Sequence, residues 1–528
     1  MRIWLVAAEN GALKGGKVGG IADVIRDLPQ ALAACGHQVT VITPSYGVFN
    51  KLPQARHVEY LQVQFGGAQH SAQIWQIQQS PIQKSVPAVE FMAIEHPLLS
   101  PKGAGVIYHD DGPTAPFAID ASRFAFFCAA TVAQVEQCPR PPDVLHLHDW
   151  HLGLVLALRH YDPALKKIRA IRIVFTIHNL AFQGIRPLKN HESSFEAWFP
   201  RLRYRGKQIG DPRYPNCVNP MATAIRLADK LNTVSPTYAR EILQPNDRAR
   251  GFSGGEGLEA DLGAAAAENR LTGILNGCAY PGYDRSRSDS SRSDGRWRGG
   301  HRPGWSRLLQ AIAGEKHLLK NNLTARQTLS QLPRRRPSNL LISIGRIGEQ
   351  KISLFLQPTK THSSALEMIL KQHGSALAFI MLGRGDRELE QRLRRVASEQ
   401  RNFLFLTGYS ETLSDLLYCA GDLFLMPSSF EPCGISQMLA MRAGQPCVAH
   451  AVGGLKDTVT QAVNGFTFGG ETSSDQAENF VSSVNQALLI KSTDKRCWQK
   501  IRNHARATRF SWEAAAAAYL SELYEFTD

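Results

Sequence analysis

The segment Leu423–Arg442, LFLMPSSFEPCGISQMLAMR, passes from a short unbroken apolar run through a Pro- and Gly-bearing loop into a helical pattern. A short apolar run that alternates with helices is the signature of a strand buried on both faces of a parallel sheet. The same order recurs around it. LLISIGR, LAFIMLG and NFLFLTG precede it and QPCVAHA follows, each running into polar, helix-compatible sequence or a Gly-bearing turn. An earlier series, IWLVAA, VTVITP, DVLHLH, IRIVFTIH, KLNTVS and LTGILNG, repeats the arrangement. Two doubly wound α/β units in tandem are therefore expected, with ligands beyond the carboxyl ends of their strands.

Size and composition agree with this reading. A chain of 528 residues exceeds one ordinary core and suits two domains. With 43% hydrophobic and 20% charged residues it has the balance of a folded soluble protein. The opening MRIWLVAAEN breaks at Glu9, too soon for a secretory signal, and no stretch reaches the roughly 20 apolar residues of a membrane span. The nine cysteines show no paired metal spacing. Reduced thiols and a cytoplasmic location are expected, with no membrane partner. The net charge of +14 suits either a polyanionic partner or a cleft for phosphates. Its local clusters, Arg285 to Arg307 and Arg334 to Arg336, lack any nucleic-acid motif, so nucleic acid is not an expected partner.

Four regions are expected: 1–277 and 319–510 as the two α/β domains, 278–318 as an atypical linker, and 511–528 as a terminal docking helix. The linker contains PGYDRSRSDSSRSDGRWRGGHRPGW, an Arg/Ser/Gly composition that buries little apolar surface. The last region opens with Ser511 as an N-cap before strong helix formers.

Chemistry-bearing residues gather at the predicted strand ends. Lys17-Val18-Gly19-Gly20 follows the first strand, where glycines let backbone approach a ligand and a lysine can meet an anion at a helix amino end. His148-Asp149-Trp150-His151 closes one strand, and Thr176 to Asn179 with Phe182-Gln183-Gly184 closes the next. These are side chains suited to sugar hydroxyls and a sugar face. No HExxH or Cys/His quartet marks the histidines as zinc ligands. Arg346 and Lys351 form a cationic pair able to hold a diphosphate without metal. Tyr409 can stack on a base. In Ser428 to Gln437, Glu431 brings a carboxylate beside a Gly-bearing helix start, and Cys433 reads as a packed residue rather than a thiol nucleophile.

Taken together, GGIADV after Lys17, HDWH, TIHNLAFQG, TVSPTYAREI, LTGILNG, EQK, LGRGD, SSFEPCGISQ and VGGLKDTV resemble the glycogen and starch synthase family over nearly the whole chain. That resemblance implies an α/β fold of the GT-B type, two facing Rossmann-like domains with a cleft between them: an N-terminal acceptor and catalytic domain and a C-terminal nucleotide-sugar domain. It implies a retaining glucosyltransferase that uses ADP-glucose as donor and glycogen or another α-1,4-glucan as acceptor, with no cofactor and no metal. In that scheme the acceptor 4-hydroxyl attacks from the face the nucleotide leaves. By the same resemblance Lys17, Gly19 and Gly20 face the donor phosphates and His178 and Asn276 hold the reacting glucose. Arg346 and Lys351 take the diphosphate, Glu431 is the functional carboxylate and Tyr409 stacks on the base. Cys433, Gly434, Ile435 and Ser436 lead into a phosphate-facing helix, and Asp149 and Gln183 are weaker acceptor-side candidates. The family pattern breaks off at Cys278-Ala279 and stays absent to about Ile312, as a divergent insertion or a shifted reading frame would leave it. Two further readings stand beside the catalytic one: a non-catalytic glucan-binding relative with a damaged hinge, and a GT-B enzyme with another acceptor.

Overall fold

The computed structural model describes residues 1–79, 88–112, 114–280, 302–320 and 322–525. The chain forms two compact units. Unit 1 comprises Met1–Asn246, Gly254–Gly277 and Ser511–Asp528, and unit 2 comprises Asp247–Ser253 and Cys278–Phe510.

Unit 1 is built on β1 (Arg2–Val6), β2 (Gln38–Pro44), β3 (Ala55–Phe65), β4 (Ala68–Ile77), β5 (Glu90–Glu95), β6 (Val144–His148) and β7 (Arg172–Ile177). β8 (Arg186–Pro187) and β9 (Cys217–Val218) make a small separate ladder, and β10 (Lys230–Thr233) and β11 (Leu271–Gly273) return to the main sheet. The main order is β11-β10-β7-β6-β1-β2-β5-β4-β3. It runs parallel from β11 to β5 and ends in an antiparallel hairpin, β4 and β3. Chain order reverses between β1 and β6, so the crevice rule places ligands beyond Val6 and His148.

Unit 2 carries β12 (Asn339–Ile344), β13 (Leu377–Gly383), β14 (Phe403–Thr407), β15 (Leu423–Met426), β16 (Cys447–His450) and β17 (Gly465–Phe468). Their order is β14-β13-β12-β15-β16-β17, parallel throughout, with the reversal between β12 and β15. Every strand expected from sequence is present, and each unit is a Rossmann-like sheet.

Beside the two-residue strands β8 and β9, four strands of the main sheets escaped the sequence. β3, β4 and β5 alternate polar with apolar because one face meets solvent, as Leu61 and Val63 buried between exposed Gln62 and Gln64 show. The usable signal was Gly66-Gly67 between two alternating runs, with φ of 60° and 80°. β17 is only four residues long.

Of the region expected as a linker, 281–301 lies outside the described residues. Its remainder differs from that expectation. Trp305–Gly314 is a helix that buries Trp305, Leu308 and Ile312 against Leu340, Ile342 and Leu417. Spacings of three and four residues put those three side chains on one helical face, which overrides the polar composition upstream.

One helix among the described residues, Ala118–Gln137, is long and apolar enough to cross a membrane by length and composition alone, although Asp120 and Arg123 interrupt its apolar run. It is 78% buried over its apolar window and packs in the unit 1 core.

The carboxyl-terminal segment belongs to unit 1. Ser511 caps the helix Trp512–Ala518 by accepting from Ala514 N, and the chain then widens into a π turn, Tyr519–Tyr524. The Tyr519 hydroxyl accepts from Asn232 Nδ2 at 2.8 Å, and the Tyr524 hydroxyl meets His146 Nδ1 at 2.6 Å. The tail thus closes over buried polar groups of β6 and β10. Tyr524→Phe strands a buried imidazole nitrogen and is expected to cost about 1–3 kcal/mol, read as a lower urea midpoint for unit 1. An unchanged midpoint would show that the hydroxyl does not fasten the tail.

Candidate active site

In unit 1 the site begins where β1 runs into Glu9. Backbone N–H groups of Val18 and Gly19 donate to Glu9 Oε2 at 2.9 and 2.5 Å, and the Tyr108 hydroxyl donates to Oε1 at 2.9 Å. Lys17 Nζ contacts both Asp23 oxygens, at 2.7 and 2.9 Å, and Arg26 reaches the same carboxylate at 3.0 Å. Of the residues expected to face phosphate, Gly19 therefore has its amide committed to an internal carboxylate, together with that of Val18. Gly20 opens the helix Gly20–Ala34 with open space where a side chain would stand.

β6 and β7 pair in parallel with His148 opposite Thr176, which brings His178 within reach of His148. His148 Nδ1 and His178 Nε2 lie 3.0 Å apart. Burial pushes His146, His151 and His178 down to about 3, and His148 well below its ordinary value. All four are neutral at pH 7, so within the pair one imidazole donates and the other accepts.

Asp149, directly after β6, has φ 64° and ψ 176°, a region that glycine alone occupies without strain. Burial lifts its carboxyl well above the usual range; backbone N–H groups of Trp150, His178 and Asn179 oppose this and the Glu9 charge adds to it. Five buried polar atoms that follow strand ends of unit 1 have no protein partner: Asn10 Nδ2, His148 Nε2, Asp149 Oδ1, His151 Nδ1 and Asn276 Oδ1. Buried polar atoms are normally paired, and a polyhydroxylated ligand offers the missing donors and acceptors.

Gln183 behaves otherwise. Its amide donates to the Leu180 and Glu256 carbonyls and accepts from Arg213 and Asn219, so it shapes the loop from inside and has no capacity left for a ligand. Next to it, a side chain at Gly184 would lie 2.0 Å from Trp150.

In unit 2 the site forms at the reversal between β12 and β15. A crevice there is lined by Gly345, Arg346, Lys351, Pro427 and Ser428, among others. Lys351 Nζ meets Glu431 Oε2 at 2.5 Å, and Ser428 Oγ donates to the same oxygen at 3.0 Å. The two loops are zipped together. Ser429 N donates to the Gln350 carbonyl at 2.7 Å, and Gln350 Nε2 to the Phe430 carbonyl at 2.9 Å. The LGRGD turn holds the other side: Ile347 N donates to the Arg384 carbonyl and Asp386 N to the Ile347 carbonyl. Its Gly385 sits where any side chain would come 2.0 Å from that carbonyl. Arg346 is left exposed at the tip.

Cys433 is buried, and Gly434 is followed by Ile435 and the seven-residue helix Ser436–Arg442. Gln437 Nε2 pins that turn by donating to the Cys433 and Gly434 carbonyls at 3.1 and 3.0 Å. Tyr409, beyond β14, is 63% exposed. Lys351, Glu431, Arg346 and the Cys433–Ser436 turn thus gather at one reversal point, whereas Tyr409 stands at the outer strand. Sequence reasoning passed over Glu9, Asn10 and Tyr108, and named Ser428 and Gln350 within motifs without giving either a role. Glu9 had a signal, a carboxylate closing a buried strand.

Comparison with known proteins follows this geometry. "Starch synthase catalytic domain" matches residues 2–264 and "Glycosyl transferases group 1" matches 339–488. The glycogen synthase of Streptococcus equi subsp. equi (strain 4047) is 33% identical over 541 residues, covering 99% of each chain. That of Anaeromyxobacter sp. (strain Fw109-5) is 33% identical, covering 98% of each. Among solved structures, the catalytic domain of starch synthase IV from Arabidopsis thaliana, bound to ADP and acarbose, gives a TM-score of 0.71 at 26% identity over 99% of this chain and 98% of that one. Sucrose-phosphate synthase from Thermosynechococcus elongatus gives 0.54 at 16% identity, covering 98% of this chain and 96% of that one, a likeness of fold alone.

Two Rossmann-like units with these strand-end groups define a glycosyltransferase of the GT-B class. More narrowly, the chain belongs to the glycogen and starch synthase family. The full-length relatives decide against the non-catalytic reading and against an enzyme of another acceptor class.

Two outcomes test the unit 1 geometry. The four histidines stay neutral when folded but protonate near pH 6.5 when unfolded. Their contribution is therefore complete above that pH and is lost as pH falls towards 3, at about 1.4 kcal/mol per pH unit per histidine. Asp149 acts in the opposite sense: its contribution is complete below the unfolded carboxyl value and is lost as pH rises through its lifted one. The histidines outnumber it, so the urea midpoint of unit 1 should drop from pH 7 to 5, less steeply in His151→Asn. Separately, Asp149→Gly removes about 1–3 kcal/mol of backbone strain while deleting a site group. Higher stability with most turnover lost is expected; a variant that stays active shows the strain serves no function.

Proposed function

We propose that this glycosyltransferase moves glucose from ADP-glucose to the non-reducing 4-hydroxyl end of glycogen or a related α-1,4-glucan, with retention of configuration, in the cytoplasm and without a metal. The observation that carries the reading is the Lys351–Glu431 contact beside Arg346 at the strand reversal of unit 2. A paired ammonium and an exposed guanidinium suit a diphosphate, and the carboxylate beside them suits sugar hydroxyls.

As the bond from the anomeric carbon to the diphosphate breaks, its electron pair leaves with the nucleotide and negative charge grows on the phosphate. Arg346 and Lys351 stabilise that charge, the work a metal does elsewhere. The acceptor oxygen forms the new bond from the same face, and its proton passes to the departing phosphate. His178, His148 and Asn276 orient the hydroxyls of the sugar as neutral donors and acceptors, with Asp149 beside them, which holds the reacting atoms in line without placing an imidazolium charge near an oxocarbenium-like centre. Tyr409 stacks on the adenine. Likeness to glycogen synthases, and to a starch synthase solved with ADP and acarbose, supports the donor and acceptor assigned here.

Purified protein supplied with glycogen and either ADP-glucose or UDP-glucose, with and without EDTA, should release ADP and lengthen chains in a chelator-insensitive way. Preference for UDP-glucose, or loss of turnover in EDTA, overturns the corresponding part. Glu431→Ala should lower kcat by on the order of a hundredfold or more while the thermal midpoint stays close to that of the parent. Turnover within a fewfold of the parent removes Glu431 from the chemistry.

A further inference from the structure

Lys351 and Glu431 stand beyond the carboxyl ends of β12 and β15, and the amino ends of the same two strands hold a second cluster of charges. The strands are parallel, so the two clusters lie at opposite edges of one sheet, roughly 20 Å apart along β12. The second cluster is built on Asp422, 1% exposed and directly before β15. Leu340 N donates to Asp422 Oδ2 at 2.8 Å, which fixes the carboxylate between the strands. Arg302 donates to Oδ1 at 2.5 Å, Arg336 to Oδ2 at 2.9 Å, and Lys491 Nζ lies 3.5 Å from Oδ2. Three cations share one carboxylate.

Two more guanidiniums, Arg502 and Arg506, stand on the helix Lys495–Ala507, four residues apart and so on one face. Arg502 donates through Nε to the Gly444 carbonyl at 3.0 Å. Arg506 lies against the same glycine, since a side chain there would come 3.0 Å from its Nε and Nη2. Among the described residues the Arg506 guanidinium and the two terminal nitrogens of Arg502 have no hydrogen-bond partner. Burial, with Arg302, Arg506 and Arg336, holds the Arg502 guanidinium below its ordinary value against the opposing charge of Asp422. Burial lowers Lys491 too, with Arg336 and Arg302 adding to it and Asp422 opposing. Asp415 and Arg442, which act with Arg506 on Cys419, add one charge of each sign.

Gln445 joins the two groups of cations. It follows Gly444 and is 1% exposed, and its Nε2 lies 1.6 Å from where a side chain at Gly421 would stand. The Gly421 carbonyl in turn accepts from Arg302 at 2.6 Å. Neither Gln445 Nε2 nor Oε1 has a protein partner. Buried amides are normally paired, and crowded cations are disfavoured, so one small anion would satisfy both.

We propose that Arg302, Arg336, Lys491, Arg502, Arg506 and Gln445 form a second anion site, at the amino edge of the unit 2 sheet, for a small phosphorylated molecule. Guanidinium forks match the oxygens of a phosphate, and its double charge offsets the excess that Asp422 leaves. Four of the five cations are half-buried, which suits a compact ligand, whereas a nucleic-acid backbone is met by exposed cations. Occupancy would fasten the loops of Arg302 and Arg336 and the helix Lys495–Ala507 to one strand edge, and so stabilise unit 2. The site is independent of the donor assigned to the crevice beyond Ile344.

The test uses the full chain at low salt, with calorimetry and thermal midpoints read against inorganic pyrophosphate. Arg346→Ala removes a cation of the other crevice, and Arg502→Gln or Arg506→Gln is then added to it. Arg346→Ala should still bind pyrophosphate and gain thermal midpoint from it, and each added substitution should weaken that binding on the order of tenfold. Without pyrophosphate, Arg506→Gln should keep or raise the midpoint, because it removes one of several like charges. A structural guanidinium predicts the reverse.

Loss of all pyrophosphate binding in Arg346→Ala overturns the inference, since the anion then uses the other crevice alone. Binding that neither added substitution weakens overturns it as well, as does a lowered midpoint in Arg506→Gln with binding unchanged. A short single-stranded RNA that binds more tightly than pyrophosphate, and is weakened by Arg506→Gln, replaces the small ligand with a polymer and overturns it too. If Arg502→Gln does not fold, Arg506→Gln decides alone. Should Arg346→Ala bind as the parent does, the phosphate role of Arg346 fails, while the added substitutions still decide the second site.

Discussion

An ammonium held 2.5 Å from a carboxylate, where the strand order of unit 2 reverses, organises the rest of that unit. Lys351 sits on the helix Glu349–Leu356 after β12, and Glu431 sits in the loop after β15, strands that are hydrogen-bonded neighbours yet distant in sequence. Their contact ties two connections that leave the sheet in opposite directions, and the Gln350 bonds to Ser429 and Phe430 lock them in register. An ammonium already held at the reversal needs only to change partners when a second anion arrives, and such preorganisation is the condition for electrostatic stabilisation of a leaving group.

Unit 1 follows a different rule. Beside the buried Glu9 carboxylate its strand ends carry mostly neutral groups: four neutral histidines, a carboxyl whose ionisation burial opposes, and an asparagine. A surface of neutral donors and acceptors discriminates hydroxyl patterns, because each missing partner leaves a buried polar atom unpaired. Unit 2 thus carries paired charges at its strand reversal, and unit 1 carries hydroxyl-matching polarity at its own.

Much of this was legible in the sequence, and the parts that were not have physical causes. Strands buried on both faces announce themselves as apolar runs, so β1, β6, β12, β13 and β15 could be read directly, together with the groups at their carboxyl ends. β3 and β4 meet solvent on one face and give only a weak alternation. Lys351 and Glu431 were legible as types in a motif, but their contact is a product of strand order, 80 residues apart. Gln183 reads as a sugar-binding amide beside Phe182, yet its four partners come from Leu180, Arg213, Asn219 and Glu256, and nothing local in sequence reveals that saturation. Glu9 was overlooked for the converse reason: its importance lies in which amides it occupies, and a carboxylate at a strand end looks like any boundary residue. Trp305 is the opposite lesson, an apolar heptad-like spacing beginning inside a composition that argues for a loop.

The pairing of cations with carboxylates before any donor is present solves a problem set by composition. Of the cations Arg346, Lys351 and Lys17 in a chain of net charge +14, Arg346 and Lys17 are exposed, whereas Lys351 is mostly buried, where an unpaired ammonium would be disfavoured. Glu431 and Asp23 neutralise two of them within their own units. When a diphosphate arrives it exchanges with a carboxylate instead of meeting a bare ammonium, so the gain on binding is smaller than for an unpaired cation. That moderation matters because attraction equal for the bound donor and the transition state improves affinity alone, whereas catalysis needs attraction that grows as charge moves onto the departing phosphate. Ser428, donating to the same oxygen of Glu431 that Lys351 touches, can keep that carboxylate satisfied while the ammonium follows the phosphate.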